Sequence, residues 1–123
     1  MSKSNILAID FGLKHVGVAI YINDLILSLP DIVYIKQDDF ITKINQLASE
    51  YNANTILLGI PPRSPRLENI IRTHGNNLKS RTRKVVYLNE DLTSKIYDKT
   101  DQIVSDHSMA AREILSEYLG NID

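Results

Sequence analysis

NILAIDFGLKHVGVAIYI, Asn5 to Ile22, holds two apolar runs around a short polar turn. Ile6-Leu7-Ala8-Ile9 leads to a carboxylate, Asp10. Gly12, Lys14 and His15 follow, and the second run extends from Val16 to Ile22. Two such runs parted by a short glycine-containing turn read as a β-hairpin. Gly12 lets the backbone take a positive φ or lie close to a ligand. A carboxylate at the end of a buried strand is costly unless it is paired or holds a metal. Asp10 is therefore either a site for chemistry or a turn residue bonded to its own backbone.

The chain read outward from this hairpin continues in an orderly way. Asn23-Asp24 marks a turn, and Leu25–Leu29 and Ile32–Ile35 are extended on either side of a break at Pro30. Asp38 and Asp39 offer an N-cap. Phe40, Ile41, Ile44, Leu47, Ala48 and Tyr51 then form one helical stripe. Thr55-Ile56-Leu57-Leu58-Gly59 lacks alternation and fits a central strand buried on both faces. Gly59-Ile60-Pro61-Pro62 ends it. Ser64-Pro65 starts a second helix, with Leu67, Ile70, Ile71, His74 and Leu78 on its apolar side. Gly75 inside that helix costs about 1 kcal/mol relative to alanine, and His74 reads as a packed core residue. Val85–Leu88 is a further buried strand. Leu92–Thr100 reads as a helical turn or two plus a loop. A last helix starts at Ser105-Asp106 and ends at Gly120-Asn121. Antiparallel strands first, then strands joined by helical crossovers, predict an α/β fold: a mixed sheet with helices on both faces.

The length of 123 residues suits one domain over residues 1–123, with one core. There is no cysteine, so disulfides and thiolate metal sites are excluded. No apolar run is long enough to span a bilayer, and no leader is visible before Asp10; a cytoplasmic protein without membrane contact is expected. The net charge of −1 gives no overall pull toward nucleic acid. Its distribution does: seven of the 14 basic residues lie between Arg63 and Lys84, namely Arg63, Arg66, Arg72, Lys79, Arg81, Arg83 and Lys84, against one acid, Glu68. The segment reads as a local positive field on one face, fit to meet phosphates, or as a solvated helix face plus a basic turn.

Acids and a histidine fall at three element ends: Asp10, Glu90, and Asp106 or His107. If the strands before Asp10 and Glu90 run parallel, both ends share one sheet edge. Oxygen ligands gathered there would hold Mg²⁺ or Mn²⁺ and leave positions for phosphate oxygens and water.

Four motifs together resemble the YqgF/RuvX family. ILAIDFGLKHVGVAI matches its opening Asp-x-Gly-x-Lys-x-x-Gly-Val-Ala. ILLGIPPR is similar to its Gly-x-Pro segment, VVYLNEDLTS to its Asp-Glu-Arg-Leu segment, and DHSMAAREILSEYL to its closing helix. The resemblance spans nearly the whole chain. It implies a ribonuclease H-like fold with a five-stranded sheet. It also implies a Holliday-junction-resolvase-like phosphodiester hydrolase, described as a metal-dependent nuclease that processes the 5′ end of precursor 16S ribosomal RNA in ribosome biogenesis. The implied cofactor is Mg²⁺ or Mn²⁺, and the implied partner is structured RNA or branched DNA, bound by a monomer or weak homodimer. Asp10 matches the first catalytic carboxylate and Glu90 the second. His107 stands at the third, with Asp106 one residue earlier; Asn89 and Asp91 are also departures. His107 shares the stripe of Ala110, Ala111 and Ile114, whereas Asp106 is rotated about 100° from it, so His107 is the expected third ligand. Lys14 matches the family's turn lysine and is expected to contact nucleic acid. Two alternatives stay open: a resolvase of branched DNA in recombination and repair, and a nucleic-acid-binding module without catalysis.

Overall fold

A computed structural model describes residues 5–11, 15–33, 36–61, 64–80, 83–89 and 106–121. Three antiparallel strands open the chain: β1 (Asn5–Phe11), β2 (His15–Ile22) and β3 (Leu25–Val33). Asn23 and Asp24 join β2 to β3 with φ of 53° and 65°. Positive φ at both central residues is the twist-matched hairpin turn, and Asn and Asp tolerate it best among residues with a Cβ. The Tyr21 hydroxyl donates to Asp24 Oδ1 at 2.9 Å and pins the turn. The fourth and fifth strands are β4 (Ala53–Ile60) and β5 (Lys84–Asn89), and the sheet order is β3-β2-β1-β4-β5. β1, β4 and β5 are mutually parallel. The sheet is mixed, as the sequence pattern predicts.

Pro30 does not break the third strand. It lies within β3, where the β2 register shifts between Val16 and Val18. β3 is an edge strand, and an edge with an irregularity is where a residue lacking an N–H is tolerated. β4 likewise runs through Gly59 to Ile60. Its burial on both faces bears out the reading from its unbroken apolar run.

Two layers of helix cover the sheet. On one face α1 (Gln37–Glu50) and α2 (Pro65–Leu78) pack over Leu7, Ile9, Phe11, Val18, Ile20, Ile56 and Leu58. On the other, α3 (Asp106–Asn121) lays Ala111, Ile114 and Leu115 on Ile6, Ala8, Ala19, Tyr21 and Leu57. The odd and even residues of β1 thus face different helices, as a period of two requires. Asp38 and Asp39 sit in the first turn of α1 and not at its cap. The N-cap is Lys36, without a side-chain bond. Acids in a first turn still favour the helix through its dipole. The start of α2 is as the sequence predicts: Ser64 Oγ accepts from the Leu67 N–H at 3.3 Å, with Pro65 at the first helical position. The expected turn within Leu92–Thr100 lies outside the described residues.

The glycine inside α2 has a packing reason. A Cβ built on Gly75 falls on the Tyr87 hydroxyl and 2.9 Å from Tyr87 Cζ. Alanine gains about 1 kcal/mol in helix propensity, but overpacking costs about 1–3 kcal/mol. Gly75→Ala is therefore expected to lower stability, and Gly75→Ala with Tyr87→Phe to recover part of the loss. Urea midpoints of the two variants and of Tyr87→Phe alone check this.

His74 is buried, and its ring lies 5.2 Å from that of Phe11 and 4.6 Å from that of Phe40. This aromatic cluster ties α1, α2 and the end of β1 together, directly behind Asp10. Burial lowers the His74 pKa below its ordinary value of 6.5. The unfolded chain then binds more protons at mildly acid pH, so stability is fully present above about 6.5 and falls as pH drops below it. The drop in urea midpoint between pH 7.5 and 5.5 is expected to be smaller in His74→Phe than in the parent.

Candidate active site

Asp10 is the sixth residue of β1. Alternation places it with Ile6 and Ala8 on the α3 face, and it is 8% exposed. Its antiparallel partner in β2 is Gly17. On the other side Ile9 pairs with Leu58, so the next residue of β4, Gly59, stands beside Asp10. Gly59 in turn pairs with Leu88 of β5. Paired residues on adjacent strands point to the same face. The carboxylate is thus flanked on both sides by positions with no side chain. Sequence reasoning missed this arrangement. Gly17 and Gly59 are plain in the sequence, but their placement beside Asp10 depends on strand register.

The edge that carries Asp10 gathers other groups. β1, β4 and β5 all run toward it, so Asn89, which precedes Glu90, ends at the same side of the sheet as Asp10. The parallel arrangement on which the pairing of Asp10 with Glu90 depends is present. α2 begins there, since it follows the end of β4, and α1 also begins there, since it ends where β4 starts. Two helix N-termini therefore present their positive ends on that side. His15 opens β2 at this edge and is exposed, as is Lys36 at the start of α1. Glu90, Lys14, Arg63 and Arg81 lie outside the described residues. Asp106 and His107 form the first turn of α3, the helix on the Asp10 face. No cluster of three metal-binding side chains occurs among the described residues.

The described part of the basic segment runs from one edge of the sheet to the other. Arg66 is exposed near the start of α2, on the Asp10 side. Arg72 is half-way along. It pairs with Glu68 at 2.9 Å, and its guanidinium lies 4.7 Å from the centre of the Tyr87 ring. Lys79 caps the far end of α2, and Arg83 and Lys84 open β5 at the opposite edge of the sheet. Arg83 donates to Asn45 Oδ1 at 3.1 Å and to Ser49 Oγ at 2.7 Å, clipping β5 to α1. α2 spans the sheet and carries the described part of the segment from the Asp10 edge to the opposite one.

This topology, a mixed sheet with an acid near the end of its central first strand, is that of the ribonuclease H-like resolvases. The structure superposes on T. thermophilus RuvC in complex with Holliday junction substrate with a TM-score of 0.64, at 9% identity over 98% of this chain and 96% of that one. It superposes on the fowlpox virus resolvase with a TM-score of 0.62, at 15% identity over 96% and 98% of the two chains. At such identities the likeness shows the fold. The sequence goes further: the model of the RuvX family, described as "Holliday junction resolvase", matches residues 4–121, and the chain belongs to that family. Among its relatives is a protein of Hydrogenovibrio crunogenus, 32% identical over 93% of this chain and 92% of its own length. Another, from Helicobacter pylori, is 30% identical over 80% of this chain and 74% of its own length. Both are named "Putative pre-16S rRNA nuclease". None of the described helices is long and apolar enough to cross a membrane.

Proposed function

We propose that this chain is a metal-dependent nuclease that acts on structured RNA, with the 5′ end of precursor 16S ribosomal RNA as its substrate. The observation that carries the reading is the row Gly17–Asp10–Gly59, a buried carboxylate with side-chain-free positions on both flanks. A hydrated cation and a phosphate need room beside the carboxylate, and this row leaves it. Asp10, Glu90 and His107, with Asp106 as the neighbouring donor, would hold Mg²⁺ or Mn²⁺. Bound there, the ion would neutralise the phosphate and lower the pKa of an attacking water. The chain's own part is positioning. The sheet fixes Asp10, and Lys14, Arg63 and Arg66 contact backbone phosphates without sequence choice. The names of the relatives support the RNA substrate.

The experiment is to incubate the protein with labelled precursor RNA and with a four-way DNA junction, each with Mg²⁺ or Mn²⁺. Metal-stimulated cleavage at one position of the precursor RNA is the expected result. Cleavage of the junction alone would move the substrate to branched DNA. Tight binding without cleavage would make the chain a binding module.

The third ligand is tested separately. Imidazole suits Mn²⁺ better than Mg²⁺, whereas carboxylate suits both. His107→Asp is therefore expected to shift preference toward Mg²⁺, and His107→Ala to weaken both. Calorimetric titration of each metal reads this directly, and equal affinities in all three proteins would make His107 a spectator.

A further inference from the structure

The cations at the edge opposite Asp10 are not needed to explain the site above. Lys84 is level with Thr55 and, through it, with Ile6, four residues before Asp10. At about 3.3 Å per residue and about 4.8 Å per strand, Lys84 lies roughly 13 Å along and 10 Å across from Asp10. No single phosphate is reached by both. Lys79 is exposed at the end of α2, and Lys84 is exposed at the start of β5. Between them in the chain, Arg83 is held by two neutral acceptors, Asn45 and Ser49, so its hydrogen bonds orient the guanidinium without cancelling its charge. Asn45 and Ser49 also line a shallow surface groove with Thr42, Gln46 and Glu50. Glu50 is the one acid among those residues.

We propose that Lys79, Arg83 and Lys84 form a second phosphate-contact surface, which grips a length of RNA duplex outside the segment that is cut. This rests on the reading of the chain as a nucleic-acid enzyme. It adds that the bound RNA is long enough to run from one sheet edge to the other. An A-form RNA duplex advances about 2.8 Å per base pair, so the offset of about 13 Å corresponds to about five base pairs beyond the site. The surface reads charge and shape and makes no choice among bases.

The test compares an RNA hairpin with a 4-base-pair stem and an RNA duplex of 24 base pairs, in metal-free buffer so that no cutting intervenes. Log affinity is measured against log salt for the parent and for Lys79→Gln with Lys84→Gln. Arg83 is left in place because it also clips β5 to α1. Each phosphate contact adds roughly 0.9 to the slope. In the parent the long duplex is expected to show the steeper slope, by about 2.7 for three contacts. In the double variant, where Arg83 remains, the difference is expected to fall to about 0.9. Equal slopes for both lengths in the parent, or a length difference in the variant as large as in the parent, would overturn the second surface. Either result would leave the cleavage reading standing, since cleavage depends on Asp10 and is assayed with metal present.

Discussion

Asp10→Asn is expected to reduce metal-dependent cleavage by at least about a thousandfold, on the order of 4 kcal/mol of transition-state stabilisation. The substitution removes charge and keeps shape. Asp10 is 8% exposed between Gly17 and Gly59, and the amide occupies the same volume as the carboxylate it replaces. The melting temperature is expected to change little. Cleavage rate and thermal midpoint measured on one preparation separate the two effects. A variant that still cuts, in a sample shown free of contaminating nuclease, would remove Asp10 from the centre of the mechanism.

Ile114→Ala is expected to give the largest loss of stability, about 2–5 kcal/mol. α3 is the only helix described on its face of the sheet. Ile114 is fully buried there between Ala111 and Leu115, over Ile6, Ala8 and Leu57. The small alanines on both surfaces let helix and strand approach closely, so the side chain removed is one of the few large ones that fill this face. Ser116→Ala, exposed on the same helix, is expected to stay within about 0.5 kcal/mol. Denaturant midpoints of the two variants give the comparison. Because the first turn of α3 carries Asp106 and His107, loosening its docking is also expected to lower metal affinity.

Much of the architecture was legible because burial imposes periods. The stripes of Phe40 to Tyr51 and Leu67 to Leu78 gave α1 and α2, and the unbroken run at Ile56–Leu58 gave a strand covered on both sides. The Ser64-Pro65 cap and the Asn23-Asp24 turn are local chemistry, readable without tertiary information. Pro30 was misleading because its tolerance depends on lying at the sheet edge, a property of strand order. Asp38 and Asp39 were placed at the cap because a first-turn acid and a capping acid look alike in sequence. The reach of the basic segment was not legible, because it depends on a 14-residue helix, about 21 Å long, that separates the segment's ends in space. The site was legible at Asp10, through its position after an apolar run. The glycine row around it was not, because register joins residues from three strands.

The irregular outer strand has a consequence for association. β3 is nine residues long, and Leu25, Leu27 and Val33 on it are 57%, 45% and 59% exposed. A straight strand of that length and composition would be a template for another chain's backbone, the first step toward open-ended aggregation. Pro30 offers no N–H, and the register shift beside it breaks the even spacing of ladder bonds. An incoming strand can pair with only a few consecutive residues on either side of this interruption. The interruption thus shortens the stretch of margin on which a foreign strand could grow.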